Sequence, residues 1–194
     1  MRLFRSNVQI EVRPGICILL AAVLMTFPMY WVIAWFGAVT FHELCHYAAL
    51  RLFRIPVYSI SVTSRGVLMC TGAMDTRSGC ACALAGPLGA LLLLGVVRIY
   101  PALAVCAGLQ SLYNLLPVGS LDGGLALRWV LAGKIGRGVQ KILECTVIFA
   151  AFAAAIYGVL SLGLGLLPLF GAIGLLLHAE AVKIPCKDRL LRVQ

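Results

Sequence analysis

From Pro14 to Thr40 the chain carries no charged residue and no histidine, and apolar character resumes past a short polar interruption as far as Phe53. That length fits two helices of about 17–20 residues in a hydrocarbon layer, parted near Pro28, whose ring removes a backbone donor. A third apolar run extends from about Ser78 to Val97, and a fourth begins near Pro101 and reaches the polar stretch Asn114–Gly124. Residues 145–179 hold no Lys, Arg, Asp or Glu, and Ser161–Pro168 offers a turn between two further spans. The expected fold is an all-α polytopic membrane protein of about six transmembrane helices, one domain covering 1–194. Composition agrees: 12% of residues are charged, against about 25% in soluble domains, and the mean hydropathy is +1.01.

One segment breaks the helical pattern. In residues 55–72, Val57, Ser59 and Ser61 alternate with Tyr58, Ile60 and Val62, and Ser64-Arg65-Gly66 supplies a turn. The spacing predicts a small membrane-associated β-hairpin. Its edge must be covered or left for another chain to pair with.

The net charge of +9 does not point to nucleic acid. Lys and Arg fall in the short connections between apolar runs, without aromatic interleaving. They instead orient the protein. With six spans and a cytoplasmic N-terminus, Arg2, Arg5, Arg13, Arg51, Arg54, Arg65 and Arg77 lie inside. Arg128, Lys134, Arg137, Lys141, Lys183, Lys187, Arg189 and Arg192 join them, and only Arg98 falls outside. Both termini are therefore expected in the cytoplasm. The first apolar run lacks a small-residue cleavage site, so it is expected to remain as a span. Eight cysteines occur without a CxxC pair, mostly in apolar runs where Cys acts as a small hydrophobe, so no disulfide framework is expected.

His42-Glu43-Leu44-Cys45-His46 is an HExxH set inside the second apolar helix. Helical spacing puts His42 and His46 on one face, as two ligands of one zinc require, with Glu43 placed to take a proton from water. Polar side chains at a helix centre in lipid cost roughly 2.5–3.5 kcal/mol each, and zinc chemistry supplies the reason for three together. Cys45 points to another face and reads as a packing residue.

A catalytic zinc holds three protein ligands and keeps one position open. Asp122 is the acid that stands out, in Asn114-Leu115-Leu116-Pro117-Val118-Gly119-Ser120-Leu121-Asp122-Gly123-Gly124, after the uncharged residues 99–121. Pro117 ends a helical segment, and the glycines let backbone approach a metal or peptide closely. The competing reading makes Asp122 the N-cap of a helix starting near Gly123. His178 and Glu180 read as an interfacial pair, and Asp75 and Glu144 as boundary residues reaching water. Tyr30, Trp31 and Trp35 read as an interface belt. The glycines between Gly163 and Gly174 read as helix-packing positions.

HExxH in a membrane helix followed by NxxPxxxLDGG resembles the site-2 protease family of intramembrane zinc metalloproteases. Ala85-Gly86-Pro87-Leu88 resembles that family's AGP motif and stands in the expected order between them. The resemblance covers a catalytic core of about 30–130. The plan without a PDZ or CBS domain resembles the minimal six-span branch that includes sporulation factor-processing proteases.

The resemblance implies a zinc metalloendopeptidase cleaving single-span membrane proteins within or beside their membrane segments, in a bacterial cell membrane. It implies His42, His46 and Asp122 as zinc ligands, Glu43 as general base and Asn114 as a substrate-binding residue. Anti-sigma factors, pro-sigma factors or remnant signal peptides are the substrate classes it suggests, and it leaves room for a regulatory membrane partner. Two departures stand out: Gly89-Ala90 replaces the AGPxxN continuation of many members, and the hairpin lacks the glycine-rich form of some relatives. Two other classes compete. A metal-ion transporter is disfavoured because no internal repeat is visible and Glu43 would have no task. An inactive relative is disfavoured because every catalytic position is filled.

Overall fold

The computed structural model describes residues 9–63, 66–131, 137–162 and 167–180. The chain divides into two compact units, Met1–Tyr113 and Asn114–Gln194. The first contains β1 (Gln9–Val12), α1 (Gly15–Thr26), α2 (Met29–Leu52), β2 (Val57–Thr63), β3 (Gly66–Thr71), α3 (Thr76–Ala90) and most of α4 (Pro101–Asn114). The second contains α5 (Asp122–Leu131), α6 (Arg137–Leu162) and α7 (Leu167–Glu180).

The break at Pro28 is where the sequence places it: α1 ends at Thr26 and Pro28, in an extended conformation, precedes the first turn of α2. At the other end, α2 is stopped by its own backbone. Arg54 adopts positive φ, its N–H donates to the Arg51 carbonyl, and the Ile55 N–H reaches back to Leu50. This is the double hydrogen bond of a Schellman motif, and Leu50 and Ile55 complete it by packing together in the core. The chain leaves that corner directly into β2.

The hairpin forms as expected, but it is not alone. β1 pairs parallel to β2, making a three-stranded sheet in the order β1-β2-β3. A four-residue strand ahead of the first long helix is too short for periodicity to register; its pairing is a tertiary event. The consequence is that β2 is the central strand, and that β1 and β3 each carry an outer edge with no neighbouring strand among the described residues. The Ser64-Arg65 turn lies outside the described residues.

Beneath the sheet, Leu50, Ile55, Val57 and Cys82 form a buried cluster, with Tyr47, Ile60, Met69 and Met74 packed around it. Elsewhere most of the buried apolar positions are alanines, and Ala34, Ala38, Ala90 and Ala107 are fully enclosed. Large apolar side chains such as Met25, Ile99, Phe149 and Leu160 are instead exposed. Small residues inside and large ones outside is the inverse of a water-soluble core and suits helices packed in lipid.

Of the six expected spans, two helical stretches, Thr76–Val96 and Gly138–Leu160, are long and apolar enough to cross a membrane among the described residues. The 24-residue α2 has the length, but the polar HExxH residues lower its apolar content. The expected third span forms as α3 and tightens into a 3-10 turn at Leu91–Val96, just after Pro87. Asp75 caps α3 by accepting from the Ser78 N–H and hydroxyl. The Ser78 hydroxyl, reinforced by backbone N–H groups, holds the Asp75 carboxyl below its ordinary value. This contribution is complete at neutral pH and fades only as acid protonates the carboxylate.

The turn within Ser161–Pro168 lies partly outside the described residues, as do Arg2, Arg5, Lys134 and every basic residue after Glu180. Gly171, expected at a helix contact, has no described residue within 4 Å of where its Cβ would stand. Tyr30 meets Trp31 and Tyr100 edge-on, at 6.1 and 5.0 Å between ring centres, and the Tyr100 hydroxyl donates to the Tyr30 carbonyl. Of the expected belt, Tyr30 and Trp31 join Tyr100 in one aromatic cluster, whereas Trp35 packs edge-on against Phe36. Among the described residues six cysteines are free thiols, and Cys70 is disulfide-bonded, a cross-link that cysteine spacing does not predict.

Candidate metal centre

The two histidines of the HExxH set meet as their spacing requires. His42 is 3% exposed, and its Nε2 lies 3.1 Å from the Nε2 of His46. An ion with metal–nitrogen bonds of about 2.0–2.1 Å in tetrahedral geometry separates two imidazole nitrogens by about 3.3 Å. The pair therefore fits a single metal. Glu43, one residue on, is half-buried in the same helix.

His46 is held from a second helix. Its Nδ1 lies 2.8 Å from the Cys82 carbonyl oxygen in α3. A carbonyl only accepts, so Nδ1 carries the proton and Nε2 is left with its lone pair toward His42. The close approach of α3 depends on glycine: a Cβ at Gly86 would fall on the His46 ring, 2.6 Å from Cδ2 and Cε1. One turn on, a Cβ at Gly89 would collide with Cys45. Cys45 is thus a packing residue, as its helical position indicates.

On the other side of α2, residues including Val32, Phe36, Thr40, Phe41 and Leu44 join Leu20 and Leu24 of α1 around an open apolar groove of about 620 Å³.

In the second unit, Asp122 is the first residue of α5, inside its first turn rather than capping a helix that starts at Gly123. The helix N-terminus favours a carboxylate there. The residues before it form a tight loop: Val118 N–H donates to Leu116, Leu121 N–H donates to Val118, and Arg128 donates to the Gly119 carbonyl at 2.7 Å. Gly119 has φ +36°.

Gly123 and Gly124 serve a purpose different from the expected approach to a metal or peptide. A Cβ at Gly123 would strike the Leu115 carbonyl, and one at Gly124 would lie 2.6 Å from that of Val118. The glycines admit the loop's own backbone. Gly123→Ala is expected to displace this loop and lower stability by about 1–3 kcal/mol, the usual range for overpacking, read as a lower thermal midpoint in detergent. An unchanged midpoint would show that the loop relaxes freely. Asn114 is half-buried on the last turn of α4. His178 and Glu180 lie in the last turn of α7.

The Cys82 carbonyl and Gly86 were not among the expected site residues. A backbone acceptor has no sequence signature, although glycine next to a helical proline is the one signal that marks the place.

No family model matches the chain, and no curated protein matches it. Among solved structures it is similar to the site-2 protease from Methanocaldococcus jannaschii, with a TM-score of 0.62 and 21% identity. The match covers 95% of this chain and 97% of that one, so the two share a fold over nearly their whole length.

Proposed function

We propose that this protein is an intramembrane zinc metalloprotease of the site-2 type, built on the minimal six-span plan with both termini in the cytoplasm. The observation that carries the reading is the His42–His46 pair, its Nε2 atoms 3.1 Å apart, on a chain sharing the fold of a site-2 protease. His42, His46 and Asp122 offer two imidazole nitrogens and one carboxylate oxygen, a donor set found at catalytic zinc.

Zinc, when bound, polarises the scissile carbonyl and makes water a stronger acid. Glu43 takes the proton of the attacking water and returns it to the leaving amine. Asn114 donates a hydrogen bond to substrate or to the oxyanion that develops. The substrate is a single-span membrane protein, of the anti-sigma, pro-sigma or remnant signal peptide class, cut within or beside its membrane segment. A bacterial cell membrane houses the reaction, and its timing is set by a regulatory membrane partner or by prior cleavage of the substrate.

A substrate helix hides its backbone in internal hydrogen bonds and must unwind before attack. The β3 edge can receive the unwound segment by strand addition. Thr63 and Gly66 flank the two-residue connection and form a hydrogen-bonded pair, so Val67 and Met69 turn their N–H groups away from β2. Val67→Pro or Met69→Pro is expected to slow cleavage on the order of ten-fold, the worth of about one hydrogen bond, with bound zinc unchanged. Cleavage at the wild-type rate would remove strand addition.

The first test of the whole reading is the zinc content of detergent-purified protein. About one zinc per chain is expected, as three ligands and one open position imply; none would sink the assignment.

A further inference from the structure

We propose that α3 forms the orienting wall of the metal centre, with Gly86 as a positioning residue for His46; this rests on the metal reading above. The Cys82 carbonyl, 2.8 Å from Nδ1, selects the tautomer whose bare Nε2 faces His42. A carbonyl oxygen has two lone pairs, so Cys82 can take this bond beside the one from its own helix. Gly86 follows four residues later, one turn along the same face. Its missing side chain is what lets the imidazole lie against α3, since a Cβ there would meet Nε2, Cδ2 and Cε1 together.

Metal-binding histidines commonly have the second ring nitrogen tied to a carboxylate, carbonyl or water, which fixes the ring and raises its basicity. Here a backbone atom does this, so no side-chain substitution at Cys82 removes it. Gly86 is the position through which it is broken. A methyl at Gly86 moves the ring off the carbonyl. A methyl at Gly89 enters the same helix interface but meets Cys45 instead.

The experiment uses the full chain in detergent, nitrogen-15 labelled at its three histidines. Metal-free wild type should show His46 protonated at Nδ1. Gly86→Ala should lose that preference, bind cobalt(II) about 10–100-fold more weakly, as expected for a broken supporting bond, and show an altered cobalt absorption band. Gly89→Ala should keep the tautomer and the cobalt affinity to within about two-fold, well inside that range, even where its thermal midpoint falls. A wild-type His46 protonated at Nε2 overturns the proposal whether or not Gly86→Ala folds. So does an equal loss of cobalt in the two variants, which would mean simple separation of α2 from α3. Wild type with the Nδ1 proton but no affinity for cobalt would overturn the metal reading, and with it this role for α3.

Discussion

Glu43→Gln is expected to abolish cleavage of a single-span substrate while leaving zinc in place. Glutamine keeps the size of the side chain on α2 but cannot take a proton. Water then has to be deprotonated without a positioned base, and such a base contributes about 10²–10⁴-fold. Because Glu43 is not among the expected ligands, the zinc content should equal that of wild type. The measurement is paired: metal per chain, and the rate of product formation in detergent or liposomes. Residual cleavage above about a tenth of the wild-type rate would lie outside that range and remove Glu43 as the base. Loss of zinc together with activity would instead make Glu43 part of the metal's support.

The second large effect concerns the ligands. Structural zinc sites with four protein ligands bind with about 10–16 kcal/mol, so one ligand carries about 2.5–4 kcal/mol. His46→Ala and Asp122→Ala should each weaken zinc about 10²–10³-fold, enough to empty the site against a mild chelator. The two variants test different parts of the chain. His46 already sits with His42, whereas Asp122 begins α5 in the other unit. Zinc lost in His46→Ala but retained in Asp122→Ala would leave the histidine pair standing and require another third ligand.

These expectations rest on a chain whose local features are unusually legible. Pro28 parts α1 from α2 because its ring forbids a continuous helix, and alternation marks β2 and β3 because strand side chains repeat every two residues. His42 and His46 meet because residues four apart on a helix share a face. Other features resisted such reading. β1 is four residues long and acquires meaning only by lying against β2. The glycines beside Asp122 suggested ligand access, yet they accommodate the carbonyls of Leu115 and Val118, a contact that depends on the path of the loop.

Where α1 and α2 part, which segment is extended and that two imidazoles stand together are legible in the residues themselves, since each follows from the ring chemistry or periodicity of a single element. That β2 lies at the centre of the sheet and that α3 braces His46 came from tertiary contacts alone. Those depend on β1 crossing to β2, and on the Cys82 carbonyl and Gly86 meeting a residue some forty positions earlier. A backbone oxygen leaves no pattern in a sequence, and Gly86 shows there only as a glycine before a helical proline; both act through where the fold places them.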